Sequence, residues 1–414
     1  MMRAITDNRG KLLLVGGFVL AALNLRPALA GVSPLLPAIM RDLGLSPAAG
    51  GAITTVMVVC LGLLAPVAPA LATRIGLDRT LLAGLLVLAA GVALRSADGV
   101  PALYCGAALA GTAIAVMNVV MPGLVKQHFP GRIGLFTGLY VSVMVGGAAM
   151  ASAAMVPLAG QVGWRAAAGS PALLALLAAA VWWAARARPG VQDPVATTAA
   201  GRAGRSRPGG PGGRPYATLL RAPATWPVMA FMGLQSLTFY VLLAWLPTVF
   251  QAAGLPADQA GYLLGLTNLV QIAAALLVPL HAGRARSQVP HVVVAVLLTI
   301  GGYLGVLLAP TTVPWLWMIV LGLGQGASIA LALLIITLRA PDPASVTALS
   351  AVAQSSGYVL AAIGPLAFGL LHELSGGWTV PLLAGLGACA LQLASGLLAA
   401  RPAPGHPGQP GQPG

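Results

Sequence analysis

The chain has 414 residues, 58% of them hydrophobic and only 7% charged, with a mean hydropathy of +0.89. A soluble domain typically carries about 25% charged residues, so this composition excludes an ordinary soluble protein and points to a helical membrane protein with many spans. The net charge of +14 would suit nucleic-acid binding, but eighteen of the 22 lysines and arginines lie on alternate loops and the termini, three on the opposite loops, and one, Arg26, inside an apolar run. That is positive-inside patterning rather than a nucleic-acid footprint, and it places both termini in the cytoplasm.

Twelve apolar segments follow one another: 12–40, 47–73, 79–96, 101–125, 133–160, 165–186, 223–251, 258–282, 290–309, 313–338, 344–372 and 378–400. Each approaches the roughly 20 residues a spanning helix needs. In lipid they must be helices, because an open strand edge would leave backbone groups unsatisfied. They are called spans 1 to 12 below. The first resembles a signal peptide, but the Arg26-Pro27 pair before Ala28-Leu29-Ala30 and the apolar run beyond it argue for an uncleaved span. Residues 1–188 and 223–401 read as two six-span bundles. Between them, 189–222 is a basic Pro/Gly-rich linker expected to be flexible, and 402–414 is a low-complexity tail expected to be disordered. Cys60, Cys105 and Cys389 lie in apolar stretches without metal spacing and read as small packing residues. No metal or cofactor is expected.

Arg26 is the outstanding residue. Lys11 and Arg41 lie fifteen positions to either side of it, about 22 Å away along a helix, which puts Arg26 near the middle of a hydrocarbon core about 30 Å thick. Burying a guanidinium there costs anywhere from about 2.5 to 17 kcal/mol, and arginine cannot escape by losing its proton. No acid lies deep in any span to pair with it. Carbonyls freed by Pro27 could satisfy it structurally; a negatively charged guest is the functional alternative. Its planar fork suits a planar or linear anion.

The two halves repeat at an offset of 210. Leu36-Pro37 matches Leu246-Pro247, Gly44-Leu45 matches Gly254-Leu255, Pro69, Ala72 and Arg74 match Pro279, Ala282 and Arg284, Thr137 matches Thr347, and Gly147 matches Gly357. A constant offset implies two bundles in the same orientation, related by an axis along the membrane normal. Six spans per half with a cytoplasmic linker resembles the major facilitator superfamily.

Several motifs narrow the resemblance: Asn24-Leu25-Arg26-Pro27 with Pro34-Leu-Leu-Pro37, Gln235-Ser236-Leu-Thr-Phe-Tyr240 through Trp245-Leu-Pro247, Gly322-Leu-Gly-Gln325-Gly326, and Leu349-Ser350-Ala-Val-Ala-Gln354 through Gly357-Tyr358. These resemble the bacterial cyanate and 2-nitroimidazole transporter family of that superfamily. The resemblance implies an all-α fold of twelve transmembrane helices in two pseudo-symmetric bundles, in the bacterial plasma membrane, expected to work as a monomer. The superfamily's signature between spans 2 and 3 is degraded to Leu71-Ala-Thr73-Arg74-Ile-Gly76-Leu-Asp78-Arg79, with Thr73 where an acid is usual. Arg74, Asp78, Arg79 and Arg284 are the expected gating residues, Asp78 being a possible substitute for the missing acid.

For the solute, Arg26 is joined by Ser236, opposite it at the 210 offset, by Gln235 and Tyr240 on span 7, and by Gln354 and Tyr358, four apart on span 11. Asn24, Trp245 and Tyr140 complete the expected set, with Asn118, Asn268, Gln271 and Gln325 as further polar positions; any of these could instead serve interhelical hydrogen bonding. His372, beside Glu373, is the best histidine for a co-transported proton. Gly134/Gly138, Gly301/Gly305 and Gly322/Gly326 have the spacing of close helix packing.

The expected function is secondary transport of a small, cyanate-like anion by alternating access, with Arg26 as its central ligand. The alternative is export of small neutral or aromatic compounds. An enzyme is not expected, because the spans hold no Asp pair, His-Glu-x-x-His run or Ser/His pair.

Overall fold

The computed structural model describes residues 2–45, 47–187 and 221–401, and it is all helix apart from its turns. The expected linker and tail lie almost wholly outside the described residues. The helices in chain order are α1 Met2–Leu23, α2 Pro27–Ala30, α3 Leu36–Leu43, α4 Pro47–Leu63, α5 Val67–Ile75, α6 Leu77–Arg95, α7 Val100–His128, α8 Ile133–Arg186, α9 Thr225–Ala252, α10 Ala257–Ala282, α11 Val289–Leu308, α12 Pro314–Arg339, α13 Pro343–Ser375 and α14 Thr379–Ala400. Helix α8 has 54 residues, about 81 Å at the usual rise. It is two spans joined through Gly163, which adopts φ 81° and ψ 158°.

Two spans are broken, and both lie in the first half. Span 1 is α1, α2 and α3 in series, interrupted at Asn24–Arg26. Span 2 is α4 and α5, bent by 60° between Leu63 and Val67. Each break has a proline, Pro27 or Pro66, which removes a ladder hydrogen bond and crowds the preceding turn. At the 210 offset these positions become Leu237 and Leu276, and α9 and α10 run unbroken there. Prolines shared by the halves do not break the second half: Pro247 and Pro279 lie inside continuous helices. The repeat is therefore real in topology and unequal in mechanics.

Glycine lets the halves meet closely. A Cβ on Gly134 would sit 2.2 Å from the Pro279 carbonyl oxygen, and one on Gly138 would sit 2.6 Å from that of Leu276, so span 5 lies directly on the backbone of span 8. Gly322 and Gly326 bring span 10 onto span 8 in the same way, while Gly301 has only Val320 at 3.8 Å and is not a close contact. The cysteines are far less alike than expected: Cys389 is buried, Cys60 half-buried, and Cys105 exposed.

Gly138→Leu should force spans 5 and 8 apart and cost about 1–3 kcal/mol, read as a lower Tm in detergent. Gly146→Leu, on the same span with only the Ile272 Cδ1 atom at 3.9 Å, should leave Tm nearly unchanged.

Candidate functional site

The site begins at the break in span 1. Pro27 has no N–H to offer the ladder, and the turn is held from the side instead. Asn24 Nδ2 donates to the carbonyls of Leu20 at 2.8 Å and Leu174 at 3.2 Å. Arg26 then leaves the irregular turn and reaches across to the second half, where its Nη1 donates to the Tyr240 hydroxyl at 2.8 Å. The Tyr358 hydroxyl lies close by on span 11 and faces the same cavity. Among the described residues no carboxylate pairs with this guanidinium. Neutral dipoles solvate its charge without cancelling it.

Arg26, Asn118, Tyr140, Gln354 and Tyr358 line a cavity between the halves, with Met144, Met232, Ile329 and Leu333 as its apolar wall. Spans 1, 4 and 5 supply one side and spans 7, 10 and 11 the other. The space that a water's centre can reach is about 10 Å³, room for about one molecule of water. The walls are thus closed, and a guest must displace that volume or part the halves. Gln354 donates to Ser350 Oγ at 2.7 Å and to the Asn118 carbonyl at 3.1 Å, tying span 11 to span 4. Asn118 Nδ2 and the Tyr140 hydroxyl are buried with no partner among the described residues. A buried polar group left unpaired costs about 1–3 kcal/mol. The cavity therefore offers one fixed positive charge and spare hydrogen-bond donors, and no carboxylate lines it.

The expected residues divide clearly. Arg26, Tyr140, Gln354 and Tyr358 come together on the cavity, and Tyr240 joins them through Arg26. Gln235 and Ser236 lie behind Met232: Gln235 donates to Ser236 Oγ at 2.7 Å, and Ser236 to the Met232 carbonyl at 2.9 Å. Asn24 braces the break rather than facing the cavity. Trp245 donates to the Pro365 carbonyl at 2.8 Å and lines a separate apolar cavity with Tyr303, Phe368 and Trp378. Of the residues absent from the expected solute set, Asn118 was one polar position among many. Met144 lies opposite Gln354 at the 210 offset, and that symmetry was the signal available for it.

The expected gating residues do not line this cavity. Arg74, Arg79 and Arg284 are exposed. Asp78 is buried, but its carboxylate takes Gln127 Nε2 and faces His128 Nε2, each at 2.8 Å, and its carbonyl accepts from Trp182 Nε1 at 3.1 Å. Through these contacts Asp78 ties together spans 3, 4 and 6 of its own half. The bridge is made by Lys126, whose Nζ donates to the carbonyls of Ala340 at 2.9 Å and Thr337 at 3.3 Å at the end of span 10. A cation is favoured at such a terminus. Beyond it Asp342 caps span 11, accepting from the backbone N–H groups of Ala344 and Ser345 and from the Ser345 hydroxyl. Partial burial pushes the Asp342 carboxyl upward, but these hydrogen bonds and nearby Lys126 outweigh it and hold it below the usual 3.8. The cap's contribution is complete above the ordinary carboxylate range and fades as pH falls through the depressed value.

A helical chain with an offset-210 repeat and a charged cavity between its halves is a membrane transporter. The Major Facilitator Superfamily pattern matches residues 14–365, and the chain belongs to that family, whose members are transporters and not enzymes. It is 34% identical over 381 residues to the 2-nitroimidazole transporter of Escherichia coli, covering 91% of this chain and 92% of that one. It is 31% identical over 369 residues to the cyanate transport protein of the same organism, covering 87% and 90%. Among solved structures, a proton:xylose symporter superposes with a TM-score of 0.71 at 14% identity, covering 94% of each chain. A fucose transporter in its outward conformation gives 0.73 at 11% identity, covering 94% of this chain and 100% of that one. At such identities the likeness is one of fold.

Lys126→Met should loosen the contact with span 10. A cysteine at Thr337, buried in the present structure, should then react several-fold faster with a water-soluble thiol reagent than Thr337→Cys alone. Equal rates would mean that Lys126 does not hold this face shut.

Proposed function

We propose that the chain carries a small, electron-rich solute of cyanate type across the bacterial plasma membrane by alternating access, with Arg26 as the ligand that meets its negative charge. The observation that carries this reading is the pairing of Arg26 with the neutral Tyr240 hydroxyl, with that of Tyr358 close by, at a cavity holding spare donors. Tyr240 and Tyr358 keep the guanidinium oriented and leave its charge available. An anion entering would trade water for the guanidinium and for the donors of Asn118 and Tyr140 in a low-dielectric space, where charge-assisted hydrogen bonds are stronger. Both bundles contribute ligands, so the guest would bridge them, as alternating access about a midplane site requires. Both termini face the cytoplasm in this reading, and the basic face held by Lys126 is the inner one. Moving an anion inward then opposes a negative-inside potential by about 2.3 kcal/mol per 100 mV, which proton symport or exchange for another anion would offset. The protein acts as a monomer.

A second reading has one observation in its favour. Three tyrosines, Tyr140, Tyr240 and Tyr358, surround Arg26, and a relative at 34% identity is named for a nitro-heterocycle. A nitro group shares with cyanate a planar or linear, acceptor-rich, negatively polarised end. The same donors would hold it while the tyrosine faces pack on the ring.

In proteoliposomes Arg26→Ala should abolish cyanate uptake with Tm retained. Arg26→Lys should recover little of it, because a point charge cannot serve both tyrosines and the guest. Normal uptake by folded Arg26→Ala would sink the anion-ligand reading. Direct uptake of labelled cyanate and of labelled 2-nitroimidazole by the wild type separates the two solute classes, since each reading expects its own solute to be the one carried.

A further inference from the structure

We infer that a fully buried arginine, Arg95, is the positioning residue for the half-buried Arg26; this rests on the reading of Arg26 as the solute's ligand. Arg95 ends α6, where the charge pattern expects a loop residue, yet it is only 2% exposed. It has no acid partner among the described residues. The nearby acids are taken elsewhere: Asp42 and Asp98 both pair with Arg165, at 2.6 and 2.8 Å. A cation kept in such a place must be holding something that its neighbours cannot hold alone.

What it holds is backbone. Nη1 donates to the Ala28 carbonyl at 2.6 Å and Nη2 to the Ala168 carbonyl at 3.1 Å. Ala28 lies two residues beyond Arg26, in the four-residue helix α2. Its ladder bonds run from Ala30 N–H to the Arg26 carbonyl and from Gly31 N–H to the Pro27 carbonyl, both at 2.9 Å, and the next N–H, that of Val32, turns to Leu29, so the Ala28 carbonyl needs a donor from outside. Arg95 supplies one and anchors it to span 6. On the other side of the break Asn24 is tied to the same span through Leu174. Both flanks of the turn that carries Arg26 are therefore referenced to span 6, one by a carboxamide and one by a guanidinium fork.

The fork itself is fixed from behind. A Cβ on Gly106 would lie 2.2 Å from the Arg95 backbone nitrogen, and one on Gly91 would lie 2.6 Å from that of Ala110. Spans 3 and 4 thus touch backbone to backbone where Arg95 departs. The chain of support runs from Gly106 to Arg95, to Ala28, and so to Arg26. Lysine could reach one of the two carbonyls but has no planar fork for both.

The test compares wild type, Arg95→Met, Arg95→Gln and Arg95→Lys in proteoliposomes, with cyanate and 2-nitroimidazole as probes and with Tm measured on each protein. A misplaced ligand can cost about a hundredfold. Arg95→Met should raise KM about tenfold or more, with a smaller change in Vmax, and Arg95→Lys should recover part of the loss. A merely structural arginine would lower Tm and the amount of active carrier, hence Vmax, while leaving KM intact; that result overturns the inference. Should Arg95→Met fail to fold, Arg95→Gln and Arg95→Lys decide in the same way, a raised KM supporting the inference and an unchanged KM overturning it. Arg26→Ala in the same assay keeps the two readings apart. Uptake retained there removes the role of Arg26, whereas uptake lost there with unchanged KM in the Arg95 variants removes the positioning role alone.

Discussion

A guanidinium held inside hydrocarbon by neutral partners is the constraint on which the rest depends. Arg26 cannot shed its proton, and its hydrogen bond runs to the Tyr240 hydroxyl of the opposite bundle, with Tyr358 close by, rather than to an acid. A carboxylate in that place would have made a closed ion pair, and the cavity would have carried no net field. With tyrosines the positive charge remains, and the cavity must admit water or an anion at some point in its cycle. The same contact joins the halves, because Arg26 belongs to span 1 and Tyr240 to span 7.

The geometry around this group follows from backbone rather than from side-chain bulk. Spans 5 and 8 meet where Gly134 and Gly138 leave no Cβ in the way, and spans 3 and 4 meet at Gly91 and Gly106. Such contacts are close and have no slack, as expected where lipid tails provide no hydrophobic drive between helices. The latch on the basic face follows the same rule: Lys126 grips the final carbonyls of a helix, and Arg339 likewise donates to the carbonyls of Ala399 and Arg401. Arg95, Lys126 and Arg339 thus all use their charge on backbone oxygen.

Much of this was legible in the sequence because lipid permits so few structures. Twelve apolar runs, alternating charge and one offset suffice for the fold. Arg26 stands out because a charge deep in an apolar run has no ordinary explanation. Gln354 and Tyr358 were legible from their four-residue spacing. Arg95 was not, since a positive residue at a span's end is commonplace and only coordinates reveal that it turns inward. Trp245 shared the sequence neighbourhood of Tyr240, but five residues of helix rotate it about 140° away, onto Pro365. Asp78 looked like a stand-in for the missing acid, and its place in the sequence did not reveal Gln127, His128 and Trp182 as partners. The breaks at Pro27 and Pro66 needed more than the presence of proline, as the unbroken helices around Pro247 and Pro279 show.

Those breaks divide mechanical compliance unevenly. The second bundle has continuous rods at the positions where the first has a segmented span 1 and a bent span 2, so two halves with the same ancestry of pattern make one stiff jaw and one soft jaw. The ladder is interrupted right beside Arg26, and deformation is easiest where backbone bonds are already missing. An antibody fragment or crosslink that splints the first bundle would therefore slow turnover far more than one clamped on the second, even though neither touches the cavity.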